Sequence, residues 1–344
     1  MKKPTNDQVR EVIRAERIAK QAKDKGTFAE RKYKLLQQEY DAAVRELEAL
    51  TQVDNGVVRP LHIKSRLAKK ENEAVPVIVL SDWHIEEKVD PRTVSGKNRY
   101  TLAIAERRCK HIAQSALKLI EEKSHQVHID TVAVFLIGDF ITGNIHDENV
   151  ENAQLQPVEA ILKAQEMIEG LIQFLLDHTD HKLNFYCKVG NHSRITRRVH
   201  ASTEVGNSLE LGMYVSLYKH FKDNERVSFH IEPSYYSIVN ILGTKVRFHH
   251  GHAVSYGGGI GGLHIPLRKA IKSWNETERA DFDIMGHYHS FQEHSTLRYI
   301  VNGSLIGYSA YAERIKAVIE PPIQGFCLIH KKYGPTSLTP IFAE

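Results

Sequence analysis

Two histidines close the stretch Gly286-His287-Tyr288-His289 after an apolar run (Phe282, Ile284, Met285), and imidazoles two residues apart at a strand end can face one centre. Four upstream stretches break off in the same way. Val75 to His84 ends on Ser81-Asp82-Trp83-His84, Val132 to Asp139 on Gly138-Asp139, Leu183 to His192 on Gly190-Asn191-His192, and Val246 to His252 on His249-His250-Gly251-His252. Carboxylate, imidazole and amide oxygen together suit hard or borderline divalent metals, Mn²⁺ first, with Fe, Zn²⁺ and Ni²⁺ as alternatives. Asp82 with His84, and His287 with His289, form two pairs, and Asp139 supplies a carboxylate between them, which is enough for two ions. Two cations roughly 3.5 to 4 Å apart can share a hydroxide, hold a phosphoryl oxygen and offset the charge of an in-line displacement.

Such side chains need a rigid frame with open loops, and strands that deliver polar residues at their C-terminal ends provide one. From Val75 onward short apolar runs alternate with longer helical patterns, Tyr100 to Glu122 and Pro157 to Asp177, which predicts an α/β domain over residues 74–344. Beyond Ser290 the runs Tyr299 to Ile306, Gly325 to His330 and Ser337 to Phe342 lack a long helix between them, and a second, partly antiparallel sheet is their expected home.

Residues 1–52 read as a helical extension. Thr5 with Gln8 and Thr27 with Glu30 fit capping boxes, which predicts two helices broken near Gly26. In the second, Tyr33, Leu36, Tyr40, Ala43, Leu47 and Leu50 follow a 3-4 spacing, a short coiled-coil seam that suits packing on the domain, association with its own copy in a homo-oligomer, or service as a DNA-contacting arm. Residues 53–73 read as a basic linker, with Arg59, Lys64, Arg66, Lys69 and Lys70 close together. The three cysteines, Cys109, Cys187 and Cys327, are far apart and form neither a disulfide framework nor a thiolate zinc site. No apolar stretch approaches the ~20 residues of a membrane span, so no membrane partner is expected. A cytoplasmic location follows. The net charge of +4 is too small to name a partner by itself.

The ordered motifs Asp82-x-His84, Gly138-Asp139, Gly190-Asn191-His192, His250-Gly251-His252 and Gly286-His287-x-His289 resemble the calcineurin-like metallophosphoesterase superfamily from about Val75 to the C-terminus. The resemblance implies a four-layer α/β/β/α sandwich of two mixed sheets with a dinuclear centre at the strand ends. It implies Asp82, His84 and His289 on one ion, Asn191, His250 and His287 on the other, and Asp139 bridging. His192 corresponds to the family's catalytic histidine. His250 rather than His249 precedes the glycine as in the family, and His252 is placed to contact substrate.

Arg194, Arg197 and Arg198 follow Gly190-Asn191-His192, and Gly257 to Gly262 follow His252 and Tyr256. Guanidinium forks and backbone N–H groups both suit phosphate oxygens, so Arg194 and Arg197 are candidate substrate contacts. This segment resembles a phage-encoded group of metallophosphoesterases. Ser193 stands where protein serine/threonine phosphatases carry Glu, and Ile141-Thr142-Gly143 replaces their Asp-Arg-Gly, which disfavours a protein phosphatase. The Gly-Asp and Gly-His-x-His motifs are shared with SbcD-type nucleases, although the Asp that follows Gly-Asn-His in those is missing here. The expected function is a metal-dependent phosphodiesterase or nuclease on DNA, with small nucleotides or cyclic dinucleotides as the alternative substrates, and a silent DNA-binding scaffold as the alternative role. His146, in the loop after Asp139, is an additional acid-base candidate.

Overall fold

The computed structural model describes residues 6–54, 72–256, 262–294, 296 and 298–344. The chain divides into two units, residues 1–66 and residues 67–344. Among the described residues no helix is long and apolar enough to cross a membrane.

The first unit is one helix, α1 (Asn6–Asp54). The expected break near Gly26 does not occur, and Thr27 lies inside the helix. A single interior glycine costs only about 1 kcal/mol relative to alanine, which the surrounding Ala, Glu, Lys, Arg and Leu residues offset. Thr5 and most of the basic 53–73 stretch lie outside the described residues.

In the second unit the strands form two sheets. The first runs β11-β10-β1-β2-β3-β4, with β1 (Ala74–Leu80), β2 (Thr131–Leu136), β3 (Lys182–Cys187) and β4 (Val227–Ile231) parallel, and β10 (Ile323–His330) and β11 (Gly334–Phe342) antiparallel additions. The second runs β5-β6-β7-β9-β8, from β5 (Ser237–Ile241), β6 (Thr244–Phe248), β7 (Phe282–Met285), β8 (Gln292–His294) and β9 (Tyr299–Val301). Sequence alternation decides the layers. Along β1 and β2, Ile78, Leu80, Val132 and Val134 point to the helices α2 (Leu102–Ser124), α4 (Pro157–His178) and α5 (Leu209–Phe221), while Val77, Val79, Ala133 and Phe135 meet Val246, Phe248 and Ile284 of the other sheet. The far face of the second sheet, Met285, Tyr299 and Val301, is covered by Leu267, Ile271 and Trp274 of α6 (His264–Thr277). The result is the expected α/β/β/α sandwich of two mixed sheets. The short helices α3 (Asp147–Asn152) and α7 (Ala310–Arg314) sit in connections.

One expectation fails. Of the three expected late runs only Tyr299 to Ile306 reaches the second sheet, as β9, where it pairs with β8; β10 and β11 extend the first. All eight residues of β10 are buried, because Phe326 and Leu328 face the helices while Cys327 and Ile329 face the other sheet. A strand apolar on both faces must be covered on both, and its antiparallel register with β1, from Ala74 on His330 to Val79 on Gly325, sets it in the first sheet.

Candidate metal centre

All five motif stretches end where the two sheets present their strand termini, but the candidate ligand residues lie past the strands. β1 stops at Leu80 and β7 at Met285. Asp82, His84, Asp139, His287 and His289 all have positive φ (56°, 46°, 56°, 74° and 52°), half of the ten non-glycine residues in that region among the described residues. Asp82 and His84 are therefore brought together by left-handed turns rather than by strand alternation, while His287 and His289, expected to face one centre, part to different groups. Non-glycine residues in this conformation cost of order 1 to 3 kcal/mol each, and they cluster where the surrounding structure over-determines a functional geometry. Glycine is required beside them: a Cβ on Gly190 would fall onto the Asp139 carboxylate, and one on Gly286 onto the Asp82 carboxylate.

Two groups of side chains converge with spacings that could hold metal ions: Asp82, His84 and His289, and Asp139, His250 and His287. They adjoin, since the His287 backbone N–H donates to both oxygens of Asp82 at 3.1 Å. In the first group the Nε2 atoms of His84 and His289 are 3.1 Å apart, and His289 Nε2 lies 3.4 Å from Asp82 Oδ1. In the second, His250 Nε2 lies 2.9 Å from Asp139 Oδ2. His250 Nδ1 is 2.7 Å from the Ile137 carbonyl, which can only accept, so Nδ1 carries the proton. In the neutral ring a bare Nε2 then faces a carboxylate oxygen. Asn191 Oδ1 is buried without a hydrogen-bond partner among the described residues. Lone pairs aimed at lone pairs, with an orphan amide oxygen beside them, fit a divalent cation at each position, as the nitrogen and oxygen donor set also does.

The electrostatics agree. Burial, with His192 and His289 nearby, pushes His84 well below the usual imidazole range, and burial with His250 nearby does the same to His287. Burial works against the charged form of His289, yet the Asp82 carboxylate outweighs it and raises the group. For His250 burial again opposes the charge, and Asp139 prevails and lifts it to about 10; burial would raise Asp139, but the neighbouring imidazoles hold it well below the carboxylate range.

His192 is not in either group. Its Nδ1–H donates to the Thr142 carbonyl at 2.9 Å, its backbone N–H donates to Asp139 Oδ1 at 2.8 Å, and its ring lies 4.8 Å from that of His84. Nε2 is left for proton exchange. A cavity of about 420 Å³ opens beside it, lined by Ile141, Gly143 to Ile145, Pro157, Ser193 to Arg197 and Leu209. Arg194 borders this cavity but spends donors on its own loop, to the carbonyls of Asn191 and, at 3.4 Å, Arg197; Arg197 and Arg198 are exposed. His252 Nε2 is held 2.7 Å from Glu204, and its Nδ1 is buried without a hydrogen-bond partner among the described residues. His249 faces the other way, against Trp274 of α6. His146 is exposed before α3. Gly257 to Gly261 lie outside the described residues.

Sequence reasoning missed the residues that steer these side chains. Thr142 is a hub: its carbonyl orients His192, its hydroxyl lies 3.1 Å from His84 Nδ1 and donates to Glu87 at 3.2 Å, and its N–H donates to Glu86 at 2.8 Å. Glu86 also accepts from Gly143 N–H at 2.7 Å, and Glu210, from α5, accepts from Phe140 and Gly190 N–H at 2.8 and 2.7 Å. Burial pushes both of these carboxyl groups up to about 7. Two acids immediately after Asp82-x-His84 were the available signal for Glu86 and Glu87. Glu210 had none, because it reaches the site from a helix 20 residues past Gly190.

No protein-family model matches the chain, and no curated protein matches it. Among solved structures it is similar to an archaeal phosphodiesterase (15% identity, covering 73% of this chain and 92% of that one, TM-score 0.32). It is also similar to a zinc-complexed Vps29 from Entamoeba histolytica (13%, 74% and 84%, TM-score 0.31) and to a predicted phosphoesterase from Streptococcus pneumoniae (13%, 74% and 83%, TM-score 0.32). Similarity at this level assigns no activity to the chain.

Proposed function

We propose that this protein is a metal-dependent phosphoesterase that cleaves phosphodiesters. The observation that supports it most is that two candidate ligand groups adjoin, the His287 N–H donating to the Asp82 carboxylate, with His192 presented beside them by a backbone carbonyl. Asp82, His84 and His289 would hold one divalent ion, His250, His287 and Asn191 the other, and Asp139 would serve both. Ions held there would supply Lewis acidity and lower the pKa of a water, the standard service of a two-metal site to phosphoryl transfer. The chain's own residues do the rest. Thr142 and Asp139 fix the His192 ring and backbone, so that Nε2 can stabilise charge on the phosphoryl group or protonate the departing oxygen. The cavity beside it has room for the group attached to that oxygen.

The substrate we assign is DNA. Arg197 and Arg198, exposed next to the centre, are available to flanking phosphates. A second reading, hydrolysis of a small nucleotide or cyclic dinucleotide, is favoured by the partly apolar lining (Ile141, Ile145, Ile195, Leu209) of the 420 Å³ cavity, which matches one nucleotide better than a duplex. Hydrolysis of a chromogenic phosphate bis-ester, single- and double-stranded DNA and cyclic dinucleotides should be compared with Mn²⁺ across a salt series. Steep loss of DNA affinity with salt supports the first reading and shallow dependence with a preferred dinucleotide the second; no hydrolysis of any bis-ester would refute both.

A further inference from the structure

Helix α1 displays large apolar side chains to solvent: Tyr33, Leu36 and Tyr40 are 68%, 54% and 66% exposed. They belong to a seam that runs further than its bulky part. Extending the same 3-4 spacing towards the N-terminus gives Ala29, Gly26, Ala22, Ala19, Ala15 and Val12. From Val12 to Leu50 the seam therefore holds no charged residue, in a chain that is 26% charged. Gly26, which reads as a helix break in isolation, is a seam position.

Side-chain volume along this seam is lopsided, with Ala and Gly in the N-terminal half and Tyr and Leu in the C-terminal half. A parallel pair would stack like on like, Gly26 on Gly26 and Tyr40 on Tyr40. Because interaxial distance follows the side chains at the contact, its axes would have to splay from one end to the other. Antiparallel alignment about a two-fold near residue 31 sets Ala15 against the partner's Leu47, Ala22 against the partner's Tyr40, Gly26 against the partner's Leu36, and Ala29 against the partner's Tyr33. Four of the six layers then hold one small and one large residue, the other two being Val12 on the partner's Leu50 and Ala19 on the partner's Ala43, so the axes stay closer to evenly spaced than in a parallel pair. On the flank, Lys25 faces the partner's Glu39, twice by symmetry. Glu30 and Lys32 each approach their own copies beside the two-fold, where water screens the repulsion to a small cost.

We infer that α1 pairs with a second copy of this chain as an antiparallel two-helix coiled coil, in the register that sets Gly26 against the partner's Leu36. At 1.5 Å per residue the two Asp54 ends then lie about 70 Å apart. The inference is independent of the catalytic reading.

Cross-linking of the full chain tests it. In this register Ala19 lies beside the partner's Ala43, whereas the two copies of Ala19 are about 36 Å apart along the axis. Chains carrying Ala19→Cys and chains carrying Ala43→Cys, mixed and mildly oxidised, should give a disulfide-linked dimer, while neither variant alone should. The native cysteines are buried and do not compete. Self-cross-linking of Ala19→Cys alone would show a parallel pair and overturn the proposal. A single-chain mass for the unaltered protein in sedimentation equilibrium would overturn it too, returning the face to another partner. Leu36→Glu with Tyr40→Glu, both at exposed positions, should yield a monomer with unchanged domain unfolding; a dimer that persists would place the contact elsewhere.

Discussion

The two halves of the centre are steered by different kinds of group. In the half built on Asp139, His250 and His287, the imidazole of His250 is fixed by the Ile137 backbone carbonyl, and the supporting Glu210 uses both oxygens on backbone N–H groups. In the half built on Asp82, His84 and His289, His84 leans on the Thr142 hydroxyl, His289 is 34% exposed at its side chain, and Glu86 leaves Oε2 buried without a hydrogen-bond partner among the described residues. Backbone carbonyls do not change with the sequence; hydroxyls do. The first half is thus a fixed site and the second an adjustable one, expected to exchange its metal more readily.

The largest effect should come from Asp139, the residue proposed to serve both halves. Asp139→Asn keeps the shape but removes the charge that faces His250, and it should abolish bis-ester hydrolysis and weaken both ions, read by metal analysis after dialysis. Two tightly held ions in that variant would remove Asp139 from its shared role. Next comes His192→Gln. It loses proton exchange at Nε2 without removing a ligand, so turnover should drop by roughly 10² to 10⁴ while both metals stay. Metal loss would move His192 into the ligand set.

Thr142→Val sharpens the contrast between the halves. It deletes the hydroxyl beside His84 and keeps the carbonyl that holds His192, so metal affinity should fall about 10- to 100-fold in one half only, the usual worth of a partner behind a ligand. Equal weakening of both ions would mean that the halves are not steered separately.

The smallest effects concern the two buried glutamates in metal-free protein. Glu86→Gln can still accept both N–H groups through one oxygen, whereas Glu210→Gln turns an NH₂ towards a backbone N–H, a mismatch worth about 1 to 3 kcal/mol. Glu86 also carries a pH signature. Its folded pKa is raised from 4.5 to about 7, so the folded state binds the extra proton, and the associated stability is complete below 4.5 and lost as pH rises through 7. The loss is on the order of 3 kcal/mol. Urea unfolding between pH 4.5 and 8 should show that slope in the wild type and a shallower one in Glu86→Gln. An unchanged slope would assign the titration to another group.

What could be read from the sequence follows from how local each feature is. The positions that gather at the candidate centre were legible because each sits at the end of its own apolar run, and the layers because Val77 and Ile78 already alternate in the chain. The mechanism of convergence was not, since period-two reasoning stops at Leu80 and Met285, where left-handed turns take over. The destination of β10 was misjudged because an apolar run does not say which sheet supplies its neighbours. Glu210 and Thr142 were invisible as supports because their partners are backbone N–H and C=O groups, which every residue has. In α1, a single glycine at Gly26 was read through local propensity when its seam position carried the meaning.

The central claim is that the two ligand groups form one dinuclear site. Electron paramagnetic resonance during a Mn²⁺ titration tests it directly, because ions roughly 3.5 to 4 Å apart are exchange-coupled. The account predicts two ions per chain at saturation and a coupled signal that disappears in Asp139→Asn. One ion per chain, or two with independent signals, would contradict it.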